Sequence, residues 1–299
     1  MMRAYEFTTT LKAGVPTKLG LFSDIHIDSP DCDRLTLKEH FDYCLKDHRY
    51  ILINGDLFDA ILLKDQKRAV PSNTERRDNQ LNVKLEETAH FLTPYKEQIL
   101  FIGRGNHEES ILKYNGLDML QILTTILNAG EKHQIVYGNY ANFIRFSWRK
   151  SNNKSILKYD IYAHHGAGGS APQTKGMLDF AALSKGANVD LIWCGHKHNS
   201  LIDYSAPIMF IDQNGNVILK NRQCIQTPSY QKGKHIDWNV NFAERFYNHT
   251  ALSGFGELTL MPETTREGGY TLKTDLKITT KPQATLGEVV SSKLAQRQR

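Results

Sequence analysis

No run of apolar residues in this 299-residue chain is long enough to cross a bilayer as a helix; the longest are strand-sized. The opening stretch, Met1 to Lys18, alternates polar and apolar side chains and lacks the charged start and hydrophobic core of a secretory signal. A cytoplasmic protein without a membrane partner is expected. Cysteine is scarce: Cys32, Cys44, Cys194 and Cys224 form no C-x-x-C pair, which argues against a disulfide framework and for reduced thiols. Cys194 reads as a small buried residue at a strand end. There is no repeat of fixed period, no long linker, and no serine or cysteine nucleophile motif. Charge of one sign is only slightly in excess: the net +5 and pI near 8.8 suit a polyanionic substrate but fall short of a dedicated nucleic-acid-binding surface.

What is present is a 40% hydrophobic composition in a chain long enough for one large core. Leu19 to Ser23, Tyr50 to Ile53, Ile99 to Ile102 and Asp190 to Cys194 read as short buried strands. Helical spacing lies between them, over Leu35 to Lys46, Leu81 to Tyr95, Ile111 to Asn128 (closed by Gly130) and Lys175 to Lys185. Strands alternating with helices predict a βαβ core, whose ligands bind beyond the carboxyl ends of its strands. From Ser200 the pattern changes to meandering strands over Leu201 to Asp212, Asn216 to Leu219 and Gln223 to Gln226, with a turn at Asn214-Gly215. A short helix after Asn239 and strands over Gly256 to Met261 and Gly269 to Ile278 follow. The resulting expectation is one domain over residues 1–278, in which residues 200–278 supply a second sheet and a small cap, and a polar tail over 279–299.

Five segments end apolar runs with metal-binding side chains: Asp24-Ile25-His26, Gly55-Asp56-Leu57-Phe58-Asp59, Gly105-Asn106-His107-Glu108, His164-His165-Gly166 and Gly195-His196-Lys197-His198. Two cations held close together need a bridging carboxylate, and the rest of each shell must mix carboxylate, imidazole and neutral oxygen to limit net charge. Residues two apart on a strand point the same way, which would align Asp24 with His26 and His196 with His198. Gly55 allows the sharp turn that would set Asp56 between two ions. Each motif alone is commonplace; their conjunction, in order and each at a strand end, points to a dinuclear site.

This ordered series resembles the calcineurin-like metallophosphoesterase superfamily over roughly residues 19 to 200. The resemblance implies an α/β fold, a four-layer αββα sandwich of two mixed sheets flanked by helices. It also implies two divalent cations per chain, with Mn²⁺ the first choice and Fe, Zn²⁺ or Ni²⁺ also accepted by such ligands. One cation would be held by Asp24, His26, Asp56 and His198, and the other by Asp56, Asn106, His164 and His196. The doublet leaves His164 or His165 open for that place, and the H-x-G pattern favours His164. His107 would be the catalytic residue that meets the scissile phosphate, with Asn106 and His165 also facing substrate. Asp59 stands where repair nucleases of this superfamily commonly carry histidine, and Glu108 where aspartate is commoner. Lys197 is expected at the surface.

The reaction implied is hydrolysis of a phosphate ester by a hydroxide bridging the two metals, most simply of a phosphodiester in nucleic acid or nucleotides. A basic stretch with Lys64, Lys67, Arg68, Arg76, Arg77 and Lys84, and a second group of Lys232, Lys234 and His235 flanked by Tyr230 and Trp238, are candidates for contact with DNA or RNA. A phosphomonoesterase for small molecules or phosphoproteins is the alternative. A non-catalytic interaction module on the same scaffold, as in the retromer subunit that resembles phosphoesterases, is a further one, although such proteins tend to lose ligands and none is missing here.

Overall fold

A computed structural model describes residues 4–60, 80–150, 155–168, 176–204, 207–211, 215–231 and 252–280. In chain order these form β1 (Ala4–Thr10), β2 (Thr17–Phe22), α1 (Arg34–Lys46), β3 (Tyr50–Asn54), α2 (Gln80–Leu92), β4 (Ile99–Gly103), α3 (Asn106–Asn115), α4 (Met119–Asn128) and β5 (Val136–Tyr137). They continue with β6 (Ala141–Arg149), β7 (Ser155–His164), α5 (Met177–Ser184), β8 (Leu191–Cys194), β9 (Leu201–Asp203), β10 (Ile208–Ile211), β11 (Val217–Lys220), β12 (Gln223–Gln226), β13 (Gly254–Thr264) and β14 (Tyr270–Thr280).

The fold is mixed α/β, built on two large sheets. The first has the order β14-β13-β2-β3-β4-β5 and the second β1-β6-β7-β8-β12-β9, with β10 and β11 as a separate hairpin. Strands β2 to β5 run parallel, as do β7, β8 and β12. Alternation along the buried strands explains the layers. Leu19, Leu21 and Leu52 face the second sheet and pack with Ile161, Ala163 and Trp193. Phe22, Ile51 and Ile53 face the other way, onto Phe41 of α1, Leu85 of α2, Ile111 of α3 and Leu123 of α4. The far face of the second sheet packs Ile192, Cys194 and Cys224 under Phe180 of α5. Strands buried on both faces read as continuous apolar runs, which is why these were visible in the sequence. No described helix is long and apolar enough to cross a membrane.

Three expectations are corrected. The helix foreseen over Ile111 to Asn128 is two helices, because Gly116 turns left-handed (φ 68°) to close α3 and the Asp118 side chain caps α4 by accepting the Gln121 N–H. α3 also starts earlier, at Asn106, so a ligand candidate opens a helix. The strands after residue 200 do not form the second sheet on their own: β13 and β14 extend the first sheet beyond β2, whereas β8, β7, β6 and β1 belong to the second. Local pattern marks a strand, but pairing between residues such as Leu21 and Gly256 decides which sheet receives it. The helix foreseen after Asn239 and the tail beyond Thr280 lie outside the described residues.

Phe22 is fully buried and stacks on Phe255 at 4.7 Å, tying β2 to β13. Phe22→Ala is expected to lower unfolding free energy by about 3–5 kcal/mol, read from the urea midpoint; a loss under about 1 kcal/mol would show that this layer is not close-packed.

Candidate metal centre

The five segments leave the carboxyl ends of β2, β3, β4, β7 and β8, and they converge because those strands run parallel within their sheets. The local geometry is not a continued strand. Asp24, His26, Asp56, His196 and His198 have φ of 51°, 47°, 49°, 69° and 55°, five of the seven non-glycine residues with positive φ among the described ones. Such backbone costs on the order of 1–3 kcal/mol per residue and persists where surroundings hold it. The alternation foreseen for Asp24 and His26 is thus replaced by left-handed turns that aim both side chains inward. Backbone bonds hold them: Asp24 and His26 donate to the carbonyls of Gly55 and Asp56 at 3.1 and 3.0 Å, and Tyr230 donates to the Asp24 carbonyl at 3.0 Å.

Asp56 is central. Its Oδ2 lies 3.1 Å from His165 Nε2 and 3.9 Å from His26 Nε2. On one side Asp24 Oδ1 lies 3.4 Å from His198 Nε2, and the Nε2 atoms of His26 and His198 face each other at 3.4 Å. On the other side His165 Nε2 lies 3.2 Å from the Asn106 amide oxygen. Among the described residues three sets have ligand atoms within 4.8 Å of one another: Asp24, His26 and His198; Asp56, His165 and His196; and His26, Asp56 and His107.

Backbone carbonyls set the imidazole tautomers. A carbonyl only accepts, so His165 donates Nδ1–H to Asn54 at 2.8 Å, His107 donates Nδ1–H to Asp59 at 2.6 Å, and His196 donates Nε2–H to Gly168 at 3.1 Å. In each ring the other nitrogen is left for the site. Asp24 is held by Ser23, whose hydroxyl donates to Oδ2, and by the His196 N–H. Trp193 Nε1–H donates to Thr227 Oγ1 at 3.0 Å, and the Thr227 and Ser23 hydroxyls lie 2.6 Å apart. Glu108 accepts backbone N–H groups from Asp56, Phe58 and Gly105 at 3.1, 2.9 and 2.9 Å. A side chain at Gly105 would collide with the Asp56 carboxylate, so the glycine is a packing requirement.

The donor set fits divalent cations. Burial would favour neutral carboxyls, yet the neighbouring imidazoles His165, His107 and His26 hold Asp56 well below its ordinary range, and His198 and His165 lower Asp24. Burial would likewise keep His165 neutral, but Asp56 and Asp24 push it up to about 10. Burial and the Asp56 charge push Glu108 up to about 7. Facing ring nitrogens beside buried carboxylates ask for positive charge between them, which a metal ion supplies.

The structure brings Asp24, His26, Asp56, Asn106, His107, His196 and His198 together, and of the histidine doublet it places His165, not the favoured His164, against Asp56. Tyr159, Ile161 and Ala163 face the first sheet, so His165, in phase with them, follows. His164 points to the opposite face, beside Tyr140 and Tyr162, and its Nδ1 accepts the Gly166 N–H at 3.0 Å. The strand's own alternation carries that signal. Lys197 does point away from the cluster, but it is buried, not on the surface, and donates to the carbonyls of Ala167 and Gly168. Lys84 is buried against Asp28, and Tyr230 is fully buried with its hydroxyl 2.8 Å from His40 Nδ1, so neither forms an open nucleic-acid surface. Lys64, Lys67, Arg68, Arg76, Arg77, Lys232, Lys234, His235 and Trp238 lie outside the described residues. Asn54, whose amide donates to the carbonyls of His164 and Trp193 at 3.2 Å each, ties the sheets together at this edge; no sequence motif announced it, nor Ser23 and Thr227.

The family model described as calcineurin-like phosphoesterase matches residues 17–200, which carry all five segments. The chain belongs to that family. Among solved structures, this phosphoesterase-family chain is similar to Vps29 of Chaetomium thermophilum, at 12% identity, 89% coverage of this chain, 98% of the other and a TM-score of 0.37. It is also similar to GAP50, an anchor in the inner membrane complex of Plasmodium, at 13% identity, 94% coverage of each chain and a TM-score of 0.43. A search of curated proteins found no match.

The two members of the histidine doublet are separable by experiment. Titration calorimetry with Mn²⁺ should show His165→Ala weakening binding by at least about 10- to 100-fold, while His164→Ala stays within about 3-fold of the parent; the reverse order would restore His164 as the ligand.

Proposed function

We propose that this chain is a dinuclear-metal phosphodiesterase acting on nucleic acid or nucleotides. The observation that supports it most is the Asp56 carboxylate, whose Oδ2 faces His165 on one side and His26 on the other. Asp24, His26, Asp56 and His198 would hold one cation, and Asp56, Asn106, His165 and His196 the second. Two divalent ions there, Mn²⁺ first, would supply an ionised water at neutral pH and neutralise phosphate charge.

The remaining work falls to side chains. Asp56 keeps both halves in register, and the carbonyls of Asn54 and Gly168 fix which nitrogen His165 and His196 present. His107 is partly exposed, and its Nδ1–H is committed to Asp59, so Nε2, 4.0 Å from Asp56 Oδ2, is the ring nitrogen turned toward the site and an incoming phosphate. Protonated, it donates to the developing oxyanion or to the leaving oxygen. Asn106 adds an amide at the start of α3. The net charge of +5 favours a polyanionic substrate, and four buried free thiols suit a reducing, cytoplasmic setting. With Lys84 and Tyr230 buried, the structural support for a polymer narrows, and a phosphomonoesterase is the competing reading.

Hydrolysis of bis(p-nitrophenyl) phosphate against p-nitrophenyl phosphate with Mn²⁺ separates them. A diester preference is expected, and a monoester preference would overturn the substrate class. Asp56→Asn should lose both metal and turnover, whereas His107→Ala should keep metal and lose about 10²- to 10⁴-fold in kcat.

A further inference from the structure

His107 is held from behind. Its Nδ1–H donates to the Asp59 carbonyl at 2.6 Å, so the orientation of that one peptide sets where Nε2 points. Asp28 grips the same turn: one carboxylate oxygen accepts the Asp59 N–H and the other accepts the Ala60 N–H at 2.9 Å. Ala60 sits at φ 48°, a left-handed conformation unfavourable for a residue with a Cβ, so the turn needs this restraint. Lys84 of α2 completes the device, with Nζ 2.6 Å from Asp28 Oδ2 and 3.3 Å from the Asp28 carbonyl. Both side chains are withdrawn from solvent, at 8% and 2% exposure.

A buried ion pair is a poor route to stability, because desolvation offsets most of the attraction and apolar replacements are often neutral. It is a good route to orientation, since both partners are fixed in direction. We propose that Lys84 and Asp28 are positioning residues for turnover: their ion pair fixes the turn at Asp59 and Ala60, and with it the tautomer and aim of His107. This rests on the reading of His107 as the residue that meets the phosphate.

The test uses the full-length chain with Mn²⁺ and bis(p-nitrophenyl) phosphate. Lys84→Met should lower kcat about 10- to 100-fold, with KM within about 2-fold and Mn²⁺ content unchanged, and Lys84→Arg should recover most of the loss. Lys84→Met leaves a lone buried carboxylate, so the double variant Lys84→Met with Asp28→Asn is the control: it should regain the parent's urea midpoint while kcat stays low. In the metal-free chain, ring nitrogen NMR should show His107 as a single Nδ1–H tautomer, and a mixture in Lys84→Met. A double variant with parental kcat, or a kcat loss that follows Mn²⁺ content while the His107 ring signals stay unchanged, overturns the proposal. His107→Ala measured in parallel separates the two readings. Full activity there removes the role of His107, and the positioning role with it; a crippled His107→Ala beside an unimpaired double variant removes the positioning role alone.

Discussion

A single buried carboxylate, that of Asp56, faces two groups of imidazoles at once, and the architecture around it exists to make that arrangement tolerable. An ionised group removed from water is costly unless opposite charge and hydrogen bonds surround it. Here Asp24, Asp56 and Glu108 are all withdrawn from solvent. They are compensated by imidazoles, by backbone N–H groups and by the positive charge that a cation would bring. The left-handed backbone at five of the candidate ligands is a second cost, carried by the two close-packed layers beneath.

The supporting shell comes from further along the chain than the motifs. Thr227, Ser229 and Tyr230 follow β12, which pairs with β8 in the second sheet. From there Thr227 reaches Ser23, and Ser229 and Tyr230 both donate to the Asp24 carbonyl. Residues beyond the matched family region therefore fix a candidate ligand near the start of the chain. Asn54 does the equivalent from the first sheet, and Asp28 with Lys84 does it for the turn behind His107. The site is held at the junction of both sheets, so its geometry depends on the inter-sheet core around Trp193 and Leu52.

Much of this was legible from residues alone, for identifiable reasons. Strands β2, β3, β4 and β8 are buried on both faces, so their sequences are apolar without interruption and end at the chemistry. β1 and β6 carry no such run: β1 lies at a sheet edge with an exposed polar half, and β6 mixes buried with partly buried residues along its length. The break between α3 and α4 was marked by Gly116 but masked by apolar spacing that continues across it. The H-x-G pattern favours His164, whereas the alternation of Ile161 and Ala163 points to His165. Ser23 and Thr227, 204 positions apart, meet only through tertiary pairing, which no local pattern encodes.

The most direct test of the central claim is anomalous diffraction from crystals of the full-length chain grown with Mn²⁺. Two peaks about 3.5–4 Å apart, both within coordination distance of the Asp56 carboxylate, are the expected result. A single peak, or two that share no Asp56 oxygen, would contradict the account.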